Sequence, residues 1–152
     1  MFERKVISMT KADKGHYSKK NSSDFMADPE IIKAIQKYSS EGGIPCAAAF
    51  RISKENNVSP KEVGQTIDSL DTRITHCQLG LYGYGEGLSP LKTSSDIPEE
   101  LKQAINGSLK DGRLPCKAAW DIAESMGIGK MKVSSACESM KIKISKCQIG
   151  AF

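Results

Sequence analysis

The sequence is poor in aromatic residues and in long apolar runs. Aromatic residues make up 6% of 152 positions, with a single Trp, which favours helices with Ala, Ile and Leu cores over a large β-sandwich. No run of about 18 apolar residues exists, so no transmembrane helix and no membrane partner are predicted. The first ten residues lack the apolar stretch and the small-residue cleavage site of a secretory signal, and we expect a cytoplasmic protein.

Cysteine and net charge are both modest. Five cysteines, an odd number, argue against a disulfide framework in a reducing compartment. The net charge of +4 favours an anionic partner only mildly, because many proteins without such a partner carry a similar charge. Composition therefore leaves a globular protein of one ordinary domain or two small ones.

The chain repeats itself with a period of 70 residues. A shift by 70 places Ile44-Pro45-Cys46 on Leu114-Pro115-Cys116, and Cys77–Gly80 on Cys147–Gly150. Residues 30–82 and 100–152 match at 15 of 53 positions without a gap. We predict two small domains, the first repeat at 29–82 and the second at 98–152. A Gly/Ser/Pro linker is predicted at 83–97, and a flexible basic arm at 1–28.

Each repeat shows the same succession of predicted elements: a helix, a short extended piece, a second helix, a tight turn, a third helix and a strand. The second helices are predicted at 46–56 and 116–126, the third at 61–70 and 130–140, and the strands at 73–79 and 143–149. We expect the extended piece before the second helix to pair with the final strand. Val63, Ile67, Val133 and Cys137 are predicted to face the core.

The segment Ile52–Val63 carries the pattern of a helix-turn-helix. A small residue, Ser53, allows two helices to cross closely, Asn57 tolerates the left-handed backbone of the turn, and Val58 and Val63 face inward. Both repeats resemble the winged helix-turn-helix superfamily. The fold class is therefore predicted as mainly α with small β-elements (α+β), in two tandem winged helix-turn-helix domains. The resemblance implies double-stranded DNA as the partner and a prokaryotic transcriptional regulator as the function.

The resemblance places the DNA contacts on the outer face of the third helices and on the strands that follow them. Gly64 and Asp68 are expected on the same outer face of the first repeat. The second repeat is expected to hold most of the affinity, because residues 98–152 carry nine basic and six acidic residues, against six and six in 29–83. The predicted DNA-binding residues are Lys61, Gln65, Arg73, Lys130, Lys132, Ser134, Ser135, Lys141, Lys143 and Lys146.

Two alternatives stay open for this basic face. Its lysines are also typical of a solvated surface, and neither third helix carries Arg, the residue that most often reads guanine. The chain is then a protein-interaction or assembly adaptor that uses the winged fold without DNA. A homodimer or another protein partner is compatible with both functions.

Cysteines recur at equivalent positions of the two repeats. Cys46 and Cys77 are 31 residues apart, as are Cys116 and Cys147. Core packing is the expected role of these thiols, and the alternatives are a reversible redox pair in each repeat or a metal or iron–sulfur centre that makes the protein metal-responsive. No metal ligands are assigned, since no Cys-x-x-Cys pair exists and His76 is expected at the surface. No cofactor is predicted, and no catalytic constellation supports an enzyme.

Overall fold

The computed structural model describes Ser18, Asn21 and residues 25–84, 90–92 and 96–151. The described chain is mainly helical with small strands. Most of the predicted arm and parts of the predicted linker lie outside the described residues. The elements, in chain order, are α1 Pro29–Tyr38, β1 Gly43–Pro45, α2 Cys46–Glu55, α3 Pro60–Ser69, β2 Arg73–Thr75, α4 Glu99–Gly107, β3 Leu114–Pro115, α5 Cys116–Met126, α6 Lys130–Ser139 and β4 Ile144–Ser145.

A two-residue turn joins the first helix of each repeat to the short strand after it. In the first repeat Ser40 and Gly43 exchange two backbone hydrogen bonds of 2.8 and 3.0 Å, and Lys110 and Arg113 do the same in the second. The residues between them have positive φ, 53° at Asp111 and 75° at Gly112. This is the conformation that Asp-Gly pairs favour in two-residue hairpin turns.

The second and third helices of each repeat meet at a tight turn, as predicted. Asn57 and Gly127 both adopt left-handed backbone, with φ of 53° and 64°. The Ser53 hydroxyl donates to the Val58 carbonyl at 2.6 Å, and this hydrogen bond stabilises the turn between α2 and α3. Ser59 caps α3 by accepting from the Glu62 amide at 3.1 Å. Both repeats therefore contain a helix–turn–helix with the predicted turn residues.

The strands pair as predicted but are much shorter than predicted. β1 pairs in parallel with β2, and β3 pairs in parallel with β4. The sequence predicted strands at 73–79 and 143–149, and this is wrong beyond residue 75 and residue 145. His76 and Lys146 have φ of 48° and 49°, which ends the extended backbone, and Cys77–Gly80 then forms a turn. Apolar alternation alone cannot reveal such a break, because it depends on backbone angles.

The chain forms two compact units, and both boundaries between them fall inside the predicted strands. Unit 1 consists of two segments, the residues up to His76 and those from Ile149 onward. Unit 2 is Cys77–Gln148. Leu79, the end of the first repeat, is buried in the core of unit 2 with Leu101 and Ile105. Ile149, its counterpart 70 residues later, is fully buried in unit 1. Each unit therefore contains the tail residue of the other repeat.

The core of each unit lies between its helices. The predicted inward residues Val63, Ile67, Val133 and Cys137 are all buried. They occur every three to four residues on α3 and α6, so one stripe of each helix is removed from water. No helix within the described residues is both long and apolar enough to cross a membrane.

Candidate nucleic-acid interface

Three exposed lysines lie around β4 in unit 2. Lys141, Lys143 and Lys146, which we call the lysine strip, project from a segment in which Ile142 and Ile144 are half-buried. The backbone of the strip is held in place, because the Leu114 amide donates to the Lys143 carbonyl at 3.0 Å. Within the described part of the chain, none of the three ammonium groups forms an ion pair. Their charges are thus available to a partner.

Two further lysines lie in the first turn of α6. Lys132 is exposed, and the Lys130 ammonium lies 4.4 Å from the centre of the Trp120 ring. Gly129 at the N-cap supplies no side-chain cap. Cations in the first turn oppose the helix dipole, which favours negative charge at that end. The dipole of α6 therefore favours a bound anion at its first turn and disfavours the positive charges of Lys130 and Lys132.

The equivalent positions of the first repeat carry different charges. Pro60, Glu62, Asp71, Arg73 and His76 stand where the second repeat has Lys130, Lys132, Lys141, Lys143 and Lys146. With His neutral, these five positions sum to −1 in the first repeat and +5 in the second. Because the two backbones share the same elements and the same turns, folding does not require lysine at these places.

Two of the lysines occupy strained backbone. Lys141 and Lys146 have φ of 58° and 49°, a left-handed conformation that side chains other than Asn, Asp and His seldom adopt. The first repeat has Asp71 and His76 there, with nearly the same angles. The second repeat thus keeps lysine where the backbone prefers other residues.

Several predicted contact residues do not lie on the outer face of the third helices. Ser134 is only 2% exposed, and its hydroxyl has no hydrogen-bond partner in the part of the chain that the structure describes. Gly64 and Asp68 are buried as well. The expected positions of all three side chains were wrong, because α3 and α6 bury a wider stripe than the predicted core residues alone would cover. Ser135 is half-buried.

The outer face of α3 is occupied by other parts of unit 1. The Asn21 side chain donates to the Gln65 carbonyl at 2.7 Å, and the Ser18 amide donates to the Asp71 carboxylate at 2.8 Å. The backbone carbonyl of Ile149 lies where a side chain on Gly64 would be. Lys61 and Arg73 remain exposed. The sequence does not reveal these contacts on α3. Neither Ser18 nor Asn21 belongs to a motif, and the position of the C-terminal segment around Ile149 depends on tertiary packing.

The cysteines are all free thiols. Unit 2 contains Cys77, Cys116, Cys137 and Cys147, whereas Cys46 lies in unit 1. Burial raises the pKa of Cys77 and of Cys116, although Gln148 donates to the Cys116 sulfur at 3.5 Å and acts in the opposite direction. Burial raises the pKa of Cys137 to about 11. Since the thiolate is the reactive form, this environment works against redox chemistry at these three thiols.

Cys147 is the exception, because it is only half-buried. We expect iodoacetamide at pH 8 to alkylate Cys147 on the native chain roughly tenfold faster than Cys77, Cys116 or Cys137. Peptide mass spectrometry over a time course measures each rate, and the urea-unfolded chain, in which all thiols react alike, is the control. Equal rates in the native chain would contradict the burial of these thiols.

The described residues contain no group of three or more His, Cys, Asp or Glu side chains arranged to hold a metal ion. Comparison of the chain with family models, with curated proteins and with solved structures gives no match.

Proposed function

We propose that this chain is a DNA-binding protein with two tandem helix–turn–helix units of the winged-helix kind, and that unit 2 supplies most of the phosphate contacts. The observation that carries the proposal is the charge difference of six between equivalent positions of two repeats with the same elements. A surface that only contacts water can carry charges of either sign, and the equivalent positions of the first repeat carry both signs.

The spacing of the lysines suits a phosphate backbone. Lys141 and Lys143 are two residues apart, so their Cα atoms are separated by at most about 7 Å. Lys132 lies in the first turn of α6, which continues for seven residues to Ser139, roughly 10 Å along the helix axis. Duplex DNA presents a phosphate about every 3.4 Å of axis on each strand. The long lysine side chains can therefore reach several phosphates at once.

Binding of this kind has a measurable salt signature. Each neutralised phosphate releases counterions, and the slope of log affinity against log salt is about −0.9 per contact. Four contacts, from Lys132 and the lysine strip, give a slope of about −3.6. Affinity should then fall roughly 150-fold between about 50 and 200 mM salt.

Fluorescence anisotropy with a labelled duplex of random sequence tests the proposal. We expect saturable binding at low salt and a slope between about −3 and −5. A duplex titrated without protein, and an unrelated protein of similar net charge, are the controls. Absence of binding at low salt would overturn the proposal and favour a protein-interaction adaptor.

The strained lysines give an independent prediction. Changing Lys146 to Asn relieves left-handed strain, so we expect the free energy of unfolding to rise by about 0.5–1 kcal/mol. The same change removes a phosphate contact and should weaken DNA binding several-fold, with a less steep salt slope. Thermal unfolding and anisotropy on one preparation measure both effects.

The control for this variant is Lys117→Asn. Lys117 is exposed, has helical backbone and pairs with Asp121 at 2.9 Å, so Asn there should lower stability slightly and leave DNA binding unchanged. A Lys146→Asn chain that binds DNA as tightly as the natural chain would remove Lys146 from the interface.

A further inference from the structure

The exposed part of α6 holds few residues that distinguish base pairs. The paired hydrogen bonds that distinguish base pairs in the major groove come from Arg or Lys to guanine and from Asn or Gln to adenine. α6 contains no Arg, Asn or Gln, and it buries Val133, Ser134, Ala136 and Cys137. The positions left to solvent in whole or in part are Lys130, Met131, Lys132, Ser135, Glu138 and Ser139. Of the two lysines, Lys130 is held over the Trp120 ring.

The third helix of the first repeat is no better placed to read bases. Gln65 is the one amide side chain on α3 or α6, and it is half-buried beside the Asn21 contact. Gly64 lies under the Ile149 backbone, and Asp68 is 1% exposed. A helix that enters a groove must present its outer face to the bases, and part of that face on α3 is covered by the chain itself.

Lysines outside the third helices carry the remaining contacts. The lysine strip follows α6: Lys141 lies in the turn after the helix, and Lys143 and Lys146 flank the two-residue strand β4. Contacts from such positions go to phosphate oxygens, which fix a protein on the duplex but carry no base information. Most of the residues available for contact, the lysine strip among them, therefore support affinity, and few support base readout.

We infer that the partner is duplex DNA recognised by its phosphates alone, with little dependence on base sequence. The inference rests on the proposed function and narrows it. Proteins that read sequence bind their site about 10³–10⁷ times more tightly than other DNA. For this chain we expect affinities for unrelated duplexes of equal length to agree within roughly tenfold at one salt concentration.

Three duplexes of one sequence separate phosphate contact from base readout. The first is unmodified, the second carries 7-deazapurines, which remove the N7 acceptors of the major groove, and the third carries neutral methylphosphonates at alternate positions. With the full chain at low salt, we expect the 7-deaza duplex to bind within about threefold of the unmodified one. The methylphosphonate duplex should bind at least about tenfold more weakly.

Each contrary result has its own meaning. A tenfold loss on the 7-deaza duplex, or a selected sequence that binds 100-fold more tightly than its shuffled form, would overturn the inference and leave the proposed function standing. Failure to bind any duplex would overturn both. Binding to heparin without binding to duplex would also overturn both, and would indicate an acidic polymer of another class.

Substitutions give the same distinction from the side of the protein. Gln65→Ala and Ser135→Ala remove the polar side chains nearest to a reading position, and we expect neither to change the ratio of affinities for two unrelated sequences. Lys143→Gln should lower affinity for every sequence by a similar factor and make the salt slope less steep by about 0.9. A change of preference in either alanine variant would contradict the inference.

Discussion

Exchange of three lysines for the residues of the first repeat should abolish DNA binding at physiological salt. The variant is Lys132→Glu, Lys141→Asp and Lys146→His, and it gives unit 2 the side chains of Glu62, Asp71 and His76. We expect affinity at low salt to fall on the order of 100-fold and the salt slope to drop from about −3.6 to about −0.9. Lost contacts and repulsion between the new carboxylates and phosphates both contribute.

Folding of this variant is favoured, since the same chain already uses these side chains at equivalent positions. Asp and His suit left-handed backbone better than Lys, and the first repeat shows them there with φ of 52° and 48°. We therefore expect an unchanged or slightly higher melting temperature. A loss of DNA binding then reports on the interface and not on unfolding.

A second variant with the same change in net charge is the control. Lys33→Glu, Lys54→Glu and Lys117→Gln also lower the net charge by five, at exposed helical positions away from the lysine strip in sequence. We expect it to keep the steep salt slope, with a loss of affinity of only a few-fold. An equal loss of binding in both variants would show that overall charge, and not the lysine strip, holds the DNA.

Gly64→Ala should destabilise unit 1 although alanine favours helices. A Cβ on Gly64 would lie 1.8 Å from the backbone carbonyl oxygen of Ile149, so the tail has to move away from α3. We expect the free energy of unfolding to fall by about 2 kcal/mol, a net of overpacking against improved helix propensity. For a chain of this size the melting temperature should drop by roughly 4–8 °C.

The tail itself gives a second measurement. Ile149 is fully buried in unit 1, and displacement exposes it to water. Hydrogen exchange around Ile149 should therefore accelerate in the Gly64→Ala chain, while exchange in the core of unit 2 stays slow.

Gly107→Ala is the matched control for this substitution. Gly107 ends α4, has no positive φ, and a Cβ there meets no atom within 4 Å. Alanine should then leave stability unchanged or raise it by up to about 1 kcal/mol. If Gly64→Ala raised the melting temperature as much as Gly107→Ala, the close approach of Ile149 to α3 would be disproved.

The sequence predicted the plan of the repeats with good accuracy because that plan depends on local signals. Pro at the start of α3, the Asn57 and Gly127 turns, and the apolar stripe of each third helix act within a few residues of the chain. The ends of α2, α3, α5 and α6 were predicted to within one residue. The charge difference between the repeats, on which the proposed function depends, is also visible in the sequence alone.

The sequence could not predict where the strands end or which side chains the third helices bury. The strands stop at His76 and Lys146 because the backbone turns left-handed there; His only weakly favours such a turn and Lys does not favour it. Ser134 is polar, which predicts a surface position, but it is buried because it lies within the stripe of α6 that packs in the core.

The sequence by itself determined two repeats that each join two helices by a tight turn, and the excess of lysine in the second repeat. Only the tertiary structure decided that Leu79 belongs to unit 2 and Ile149 to unit 1, and that α3 is covered on the face where Gln65 lies. The reason is physical: helix spacing and turn chemistry are set by neighbours in the chain, whereas the burial of a tail is set by whichever apolar surface lies within its reach.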